Sequence, residues 1–239
     1  MRARGSGLRA QGTATAPGSL PHVTAVMKKL AKAIENLDEP AVEKIAQQEQ
    51  ENPFHVLIST MLSAQTRDEV TYAASTRLFR KARTPKSMAA LTTKQIEKLI
   101  YPVSFYRNKA AHVKETCRQI LKRYAGKVPG TMEEMLTLPG VGRKTANLVL
   151  ILAHASRENI CVDTHVHRIS NRLGWVRTRT PEQTEQALYR VTPKPWWPSV
   201  NLYLVTWGQN VCRPVYPRCP ACVLADICPK IGVTKVGKS

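Results

Sequence analysis

The chain has 239 residues, 43% of them hydrophobic, and sets 36 lysines and arginines against 17 acids, a formal net charge of +19 with a pI near 10.0. Such a length buries a sizeable core in one or two domains. No apolar run approaches the roughly 18 residues of a transmembrane helix, so a soluble protein with no membrane partner is expected. The excess of cations excludes a neutral surface and makes a polyanion the natural partner; a membrane-surface helix with aromatic anchors opposite Lys and Arg is not evident.

Residues 1–21 carry Arg2, Arg4 and Arg9 among Gly, Ala, Ser and Thr, and the first acid is Glu35. So little apolar content predicts a disordered basic tail; it lacks the apolar stretch of a secretory signal, and its arginines stop early for a transit peptide. From Val23 onward the patterns are helical. Leu57, Ile58, Met61 and Leu62 recur at helical spacing, as do Ile96, Leu99, Ile100 and Val103, which predicts one apolar face per helix. Thr92 with Gln95, Thr131 with Glu134, and Thr180 with Pro181 and Gln183 read as helix starts. Strand signals are scarce, and the best of them, ENICVDTH at 158–165, reads better as a connector. The fold class is therefore all-α. Breaks near 51–53, 128–130, 155–159 and 193–198 set off a middle block of about residues 45–154.

That block closes on LPGVGRKTA, residues 138–146. Residues 131–136 predict a short capped helix, Leu138 to Gly142 a sharp turn, and 143–154 a second helix: a helix-hairpin-helix. Gly140 and Gly142 let backbone N–H groups approach a phosphate at the second helix's N-terminus without reading a base. An ordinary helix corner has the same look, and the +19 charge favours DNA. Lys144 stands at the start of the second helix beside Arg143, where the helix pole and the neighbouring cation both disfavour an ammonium ion. That is how a lysine is made nucleophilic; the plainer reading is a phosphate contact. In VDTHVHR, 162–168, Asp163 is either a helix N-cap or a carboxylate that handles protons beside that lysine. His165 and His167 read as structural or phosphate-facing.

Four of the six cysteines fall in the last 28 residues, with Cys212, Cys219, Cys222 and Cys228 spaced C-x6-C-x2-C-x5-C. Four soft thiolates so close can surround one metal centre. Structural zinc draws its ligands from two close pairs, of which only Cys219 and Cys222 make one; a [4Fe-4S] cube accepts unequal loops more easily, so spacing favours the cluster over zinc. Arg213, Arg218 and Lys230 lie in or beside these loops, so the centre would hold a basic loop at a phosphate backbone. Cys117 and Cys161 read as small buried hydrophobes.

LPGVGRKTANLVL (138–150), VDTHVHR (162–168), LSAQTRD (62–68) and the cysteine spacing, in this order, resemble the endonuclease III family of helix-hairpin-helix DNA glycosylases over about residues 28–230. The resemblance implies a six-helix barrel domain over 45–154, with the hairpin at 131–154, and an iron-sulfur cluster domain built from 22–44 and 155–232, leaving 233–239 as a tail. It implies a DNA glycosylase and AP lyase that removes oxidised pyrimidines and acts as a monomer on duplex DNA carrying such lesions or abasic sites. Lys144 would be the Schiff-base nucleophile and Asp163 the catalytic carboxylate. Gln65 would fill the hole left by the flipped nucleotide and Phe105 intercalate opposite it. Asp68 and His165 would line the lesion pocket, Gly140, Gly142, Arg143, Arg213 and Arg218 would contact DNA, and the four cysteines would hold [4Fe-4S]. Relatives that lack the lyase step carry Ser or Tyr at the place of Lys144. Family members usually have Gly before the wedge residue, and Ser104 in its place questions the loop's backbone freedom. LIYPVSFYRNKA and VDTHVHRISNRLGW look closer to eukaryotic-type members. Bacterial cytoplasm, on the nucleoid, is the favoured location, with organelle or nucleus the eukaryotic case. The competing function is a non-catalytic or monofunctional damage-recognition relative.

Overall fold

The computed structural model describes residues 20–237, and among them regular structure is entirely helical: α1 (Leu20–Ala33), α2 (Ala41–Gln48), α3 (Pro53–Ser63), α4 (Asp68–Lys81), α5 (Pro85–Ala90), α6 (Thr93–Ile100), α7 (Tyr106–Arg123), α8 (Met132–Leu136), α9 (Arg143–Ala153), α10 (Thr164–Arg172), α11 (Pro181–Val191) and α12 (Ser199–Asn210), with short 3-10 turns at Lys194–Trp196 and Cys219–Ala221. The expected basic tail lies outside the described residues except for Leu20 and Pro21, which open α1. ENICVDTH is a connector running into α10, as its sequence suggests.

Helix starts follow the sequence signals. Thr92 and Gln95 form a reciprocal capping box, while Thr131 and Thr180 accept from the backbone N–H groups of Glu134 and Gln183. Asn52 caps α3 ahead of Pro53, and Thr84 with Ser87 makes a second capping box at α5, a helix the apolar periodicity did not reveal.

Two hydrophobic cores form. One gathers α2 to α9 around Leu57, Ile58, Leu62, Leu78, Met88, Ile96, Ile120 and Met135; Cys117 and Cys161 are buried in it as apolar residues. α2 runs unbroken across residues 44 and 45 and joins it through Val42, Ile45 and Ala46. The other unites both ends of the described chain, packing Val23, Val26, Met27 and Leu30 of α1 against Val166, Ile169, Trp175, Leu188, Leu204 and Trp207. α3 corrects the expectation of one apolar face. Every residue from Phe54 to Leu62 is buried, because α2, α4, α7 and α9 all pack on it. Its Thr60 hydroxyl is satisfied by the Val56 carbonyl, and His55 lies between Glu49 and the Arg83 carbonyl.

Candidate active site

A cleft of about 810 Å³ opens between α2, the α3–α4 loop and the starts of α9, α10 and α11, and it is walled by Glu43, Gln65, Asp68, Arg143, Lys144, Asp163, His165, Glu185 and Gln209 among others. That is the size range of a small-molecule or nucleoside pocket.

The hairpin forms as its glycines require. Gly140 sits at φ +75, and a Cβ there would meet the His112 ring of α7 at 2.8 Å, so both conformation and space exclude a side chain. Thr116 of α7 donates to the Pro139 carbonyl at 2.8 Å and fixes the turn. Gly142 caps α9 without a side-chain hydrogen bond, and nothing lies within 4 Å of where its Cβ would be. The N-terminus of α9 is therefore open. Lys144, two positions in, is half-buried on the cleft wall. Arg143 pairs with the buried Glu185 of α11, and that pairing holds its guanidinium even further above the ordinary arginine value. The neighbouring cation invoked from sequence against the ammonium form of Lys144 is thus matched by a carboxylate.

Asp163 caps α10: Oδ1 accepts from the N–H groups of His165 at 2.8 Å and Val166 at 2.9 Å. Both bonds end on one oxygen, so Oδ2 remains for the cleft. The Asp68 carboxylate is also doubly used, with Oδ2 accepting from the Ala41 backbone N–H at 3.0 Å and from Gln209 Nε2 at 3.1 Å. It thereby supplies the N-terminal acceptor that Pro40, the residue before α2, lacks. His165 Nδ1 lies 3.1 Å from Arg168 Nη2, and burial pushes the imidazole below its ordinary value. A Cβ on Gly208 would come within 2.5 Å of that ring. His167 is structural, facing Thr184 Oγ1 at 2.6 Å.

Sequence reasoning missed Glu43. It is 5% exposed on α2, and its carboxyl is raised from 4.5 to about 7 by burial first, with its own backbone N–H and Lys144 opposing and Asp68 and Asp163 adding to the rise. It holds a proton near neutral pH at the edge of the cleft. The signal was present: an acid among Val42, Ile45 and Ala46 on a buried stripe.

Gln65 and Phe105 are both exposed and both adopt left-handed backbone, at φ 54 and φ 56. Ser104 is not among the positive-φ residues, so the substitution for Gly puts no strain there; the unusual conformation falls on Phe105. Arg213 and Arg218 are exposed beside the cysteine loops.

The four cysteines line one hollow under Ile169, Arg172, Trp207 and Leu224. Among the described residues no three His, Cys, Asp or Glu side chains close on a single-ion site. The surroundings nonetheless suit an anionic sulfur centre. Buried Arg172 donates from Nη1 to Cys212 Sγ at 3.3 Å and to the Arg213 carbonyl at 2.7 Å, and no carboxylate among the described residues pairs with it. A buried cation needs a counter-charge, and thiolates supply one. The Lys230 backbone N–H donates to Cys228 Sγ at 3.4 Å, and the Trp207 indole N–H is buried on the same wall, facing Cys222. Four thiolates around one hollow, with N–H donors aimed at their sulfurs, fit an iron-sulfur cube.

The comparisons agree with this architecture. Residues 58–194 match the model of the HhH-GPD superfamily base excision DNA repair proteins. The chain is 46% identical over 196 residues to endonuclease III of Thermotoga maritima, covering 82% of this chain and 92% of that one. It is also 46% identical over 187 residues to the chloroplastic endonuclease III homolog 2 of Arabidopsis thaliana, covering 75% of this chain and 48% of that longer protein. A trapped endonuclease III–DNA covalent intermediate superposes with a TM-score of 0.78 at 33% identity, over 89% of this chain and 96% of that one. An all-helical chain with two cores, a hairpin and a carboxylate-lined cleft between them belongs to the endonuclease III branch of the HhH-GPD superfamily of base excision DNA repair proteins.

Proposed function

We propose that Lys144 and Asp163 carry the chemistry of this DNA glycosylase and AP lyase, and that its substrates are oxidised pyrimidines of the thymine glycol type in duplex DNA. The Lys144 Nζ lone pair forms a bond to C1′ as the N-glycosidic bond breaks and its electron pair leaves with the base, which takes up a proton. Ring opening, with a proton to O4′, leaves the imine. Loss of a C2′ proton then expels the 3′ phosphate with the bonding electrons. Asp163, through the oxygen that its cap bonds leave free, stabilises positive charge on the sugar and handles the proton released by Lys144. Asp68, Glu43 and His165 line the space for the extruded base.

The observation that carries this reading is the convergence of Lys144 and Asp163, from separate helix starts, on a cleft beside an open hairpin N-terminus. Gly140 shapes the turn, Gly142 leaves room for a phosphate, and Arg213 and Arg218 extend the basic surface, with Gln65 and Phe105 entering the duplex. Arg143 contributes charge beside the phosphate path while paired to Glu185. The barrel domain takes in α2 from Ala41 and runs to about residue 154, four residues earlier than the sequence break suggested, because α2 packs in the first core; 22–40 with 155–232 act as the cluster domain, in a monomer working on the nucleoid. Cys212, Cys219, Cys222 and Cys228 would hold [4Fe-4S], which supplies structural cross-linking of the basic loop; the chemistry above does not pass through it.

Sodium borohydride trapping on a duplex with one thymine glycol tests the reading. A covalent protein–DNA band with the native chain, absent with Lys144→Ala, is expected. No band with the native chain, with tight binding retained, would make this a monofunctional or damage-sensing relative.

A further inference from the structure

Lys109, in the first turn and a half of α7, spends all its donors inside the protein. Its Nζ lies 2.7 Å from the Leu62 carbonyl, 2.6 Å from the Ala64 carbonyl and 3.2 Å from Thr66 Oγ1. An ammonium has three N–H groups, so none is left for a phosphate. Leu62 and Ala64 belong to the C-terminal end of α3, whose last carbonyls lack intrahelical partners, and a cation is favoured there. Thr66 Oγ1 also accepts from the Ser104 backbone N–H at 3.2 Å.

This small cluster touches both probe loops at once. Gln65 stands between Ala64 and Thr66, and Phe105 follows Ser104 and accepts at its carbonyl the Lys109 backbone N–H at 3.0 Å. Left-handed backbone at residues other than glycine is strained and persists only where the surroundings impose it. Lys109 and Thr66 are part of those surroundings at both loops. Lys109 is partly buried near Lys144, and burial followed by that like charge lowers it to about 8, so its retention at this place has a cost that its three bonds must offset.

We infer that Lys109, with Thr66, is a positioning residue that holds Gln65 and Phe105 in fixed mutual register, so that wedge and plug enter the duplex as one unit during base extrusion. This rests on the reading above that Gln65 and Phe105 enter the duplex.

The test uses full-length protein and duplexes carrying thymine glycol beside a 2-aminopurine reporter, with a matched preformed abasic site as second substrate. In Lys109→Met the extrusion signal and single-turnover base release should fall about 10- to 100-fold, the scale of a misplacement near 1 Å. Cleavage at the preformed abasic site, where no base has to be unstacked, should stay within about threefold. Lys109→Arg should restore much of the loss, and the milder Thr66→Val should reproduce it in part. Adding Lys109→Met to a Gln65→Ala, Phe105→Ala background should cost little more. If Gln65→Ala and Phe105→Ala reduce extrusion but Lys109→Met and Thr66→Val do not, the clamp is refuted and the loops stand. Equal loss of base release and abasic cleavage in both Lys109→Met and Thr66→Val refutes it as well. If the two loop substitutions are themselves silent, the loop reading fails and takes the clamp with it.

Discussion

The two helices whose first turns bring Lys144 and Asp163 to the cleft begin in opposite ways. α10 starts on Asp163, whose Oδ1 takes two backbone N–H groups at once. α9 starts on Gly142, with no side-chain cap and open space in front. Every helix start leaves N–H groups in need of an acceptor. At α10 the chain provides one; at α9 the acceptor is left to a ligand, and a phosphate suits it. The cap and the proposed catalytic role of Asp163 are compatible, because both cap bonds end on Oδ1 and leave Oδ2 uncommitted.

The largest test of this contrast is Lys144→Ala, which should reduce strand cleavage by roughly 10³-fold or more while duplex affinity stays within about tenfold, read by single-turnover kinetics and a binding isotherm. Survival of cleavage would mean the open helix start serves binding alone. Asp163→Asn separates the two uses of the other start. Asn caps about as well as Asp, so the melting temperature should hold while base release falls about 10²- to 10⁴-fold. Asp163→Ala should add a stability loss of about 1 kcal/mol; equal melting curves for the two variants would show the cap bonds idle.

Glu43 tests the wall that both starts face. Its folded value, about 7, lies above the ordinary 4.5, so the folded state binds more protons than the unfolded chain between those values. Stability from this group is fully present below about 4.5 and is lost as pH rises through about 7, a change on the order of 3 kcal/mol. Glu43→Gln should remove that dependence, seen as denaturant midpoints at pH 5 and pH 8 that draw together relative to the native chain. A midpoint difference unchanged by the substitution would place the titration elsewhere. The mildest expected change in activity comes from Gly208→Ala, where a methyl would press on His165 Nδ1 from 2.5 Å. Overpacking of this kind costs about 1–3 kcal/mol, and displacement of His165 should raise KM more than it lowers kcat. A neutral variant would show that α12 yields there.

Much of this site is legible along the chain because its parts are local. PGVG followed by RK sets a turn and a helix start within six residues, Asp163 precedes its own cap partners by two and three, and four cysteines lie within seventeen positions. What the sequence reading missed is relational. Nothing near Arg143 in the chain announces Glu185, and nothing near Asp68 announces that it caps α2 or meets Gln209. The periodicity of α3 suggested one apolar face, because a helix packed on every side and one packed on a single side can share the same apolar spacing. Ser104 drew suspicion by its place in a motif, and only the backbone showed the strain one residue later, at Phe105.

By itself, the sequence determined the all-helical class, the hairpin, the main helix starts, the basic surface and the cysteine set. Those depend on backbone periodicity, glycine's freedom at positive φ and side chains reaching two to four residues. Tertiary structure decided which charges are paired, which are buried and which are aimed at the cleft. Desolvation and pairing depend on neighbours as far apart as Asp68 and Gln209, 141 positions along the chain, and such neighbours exist only after the two cores have packed.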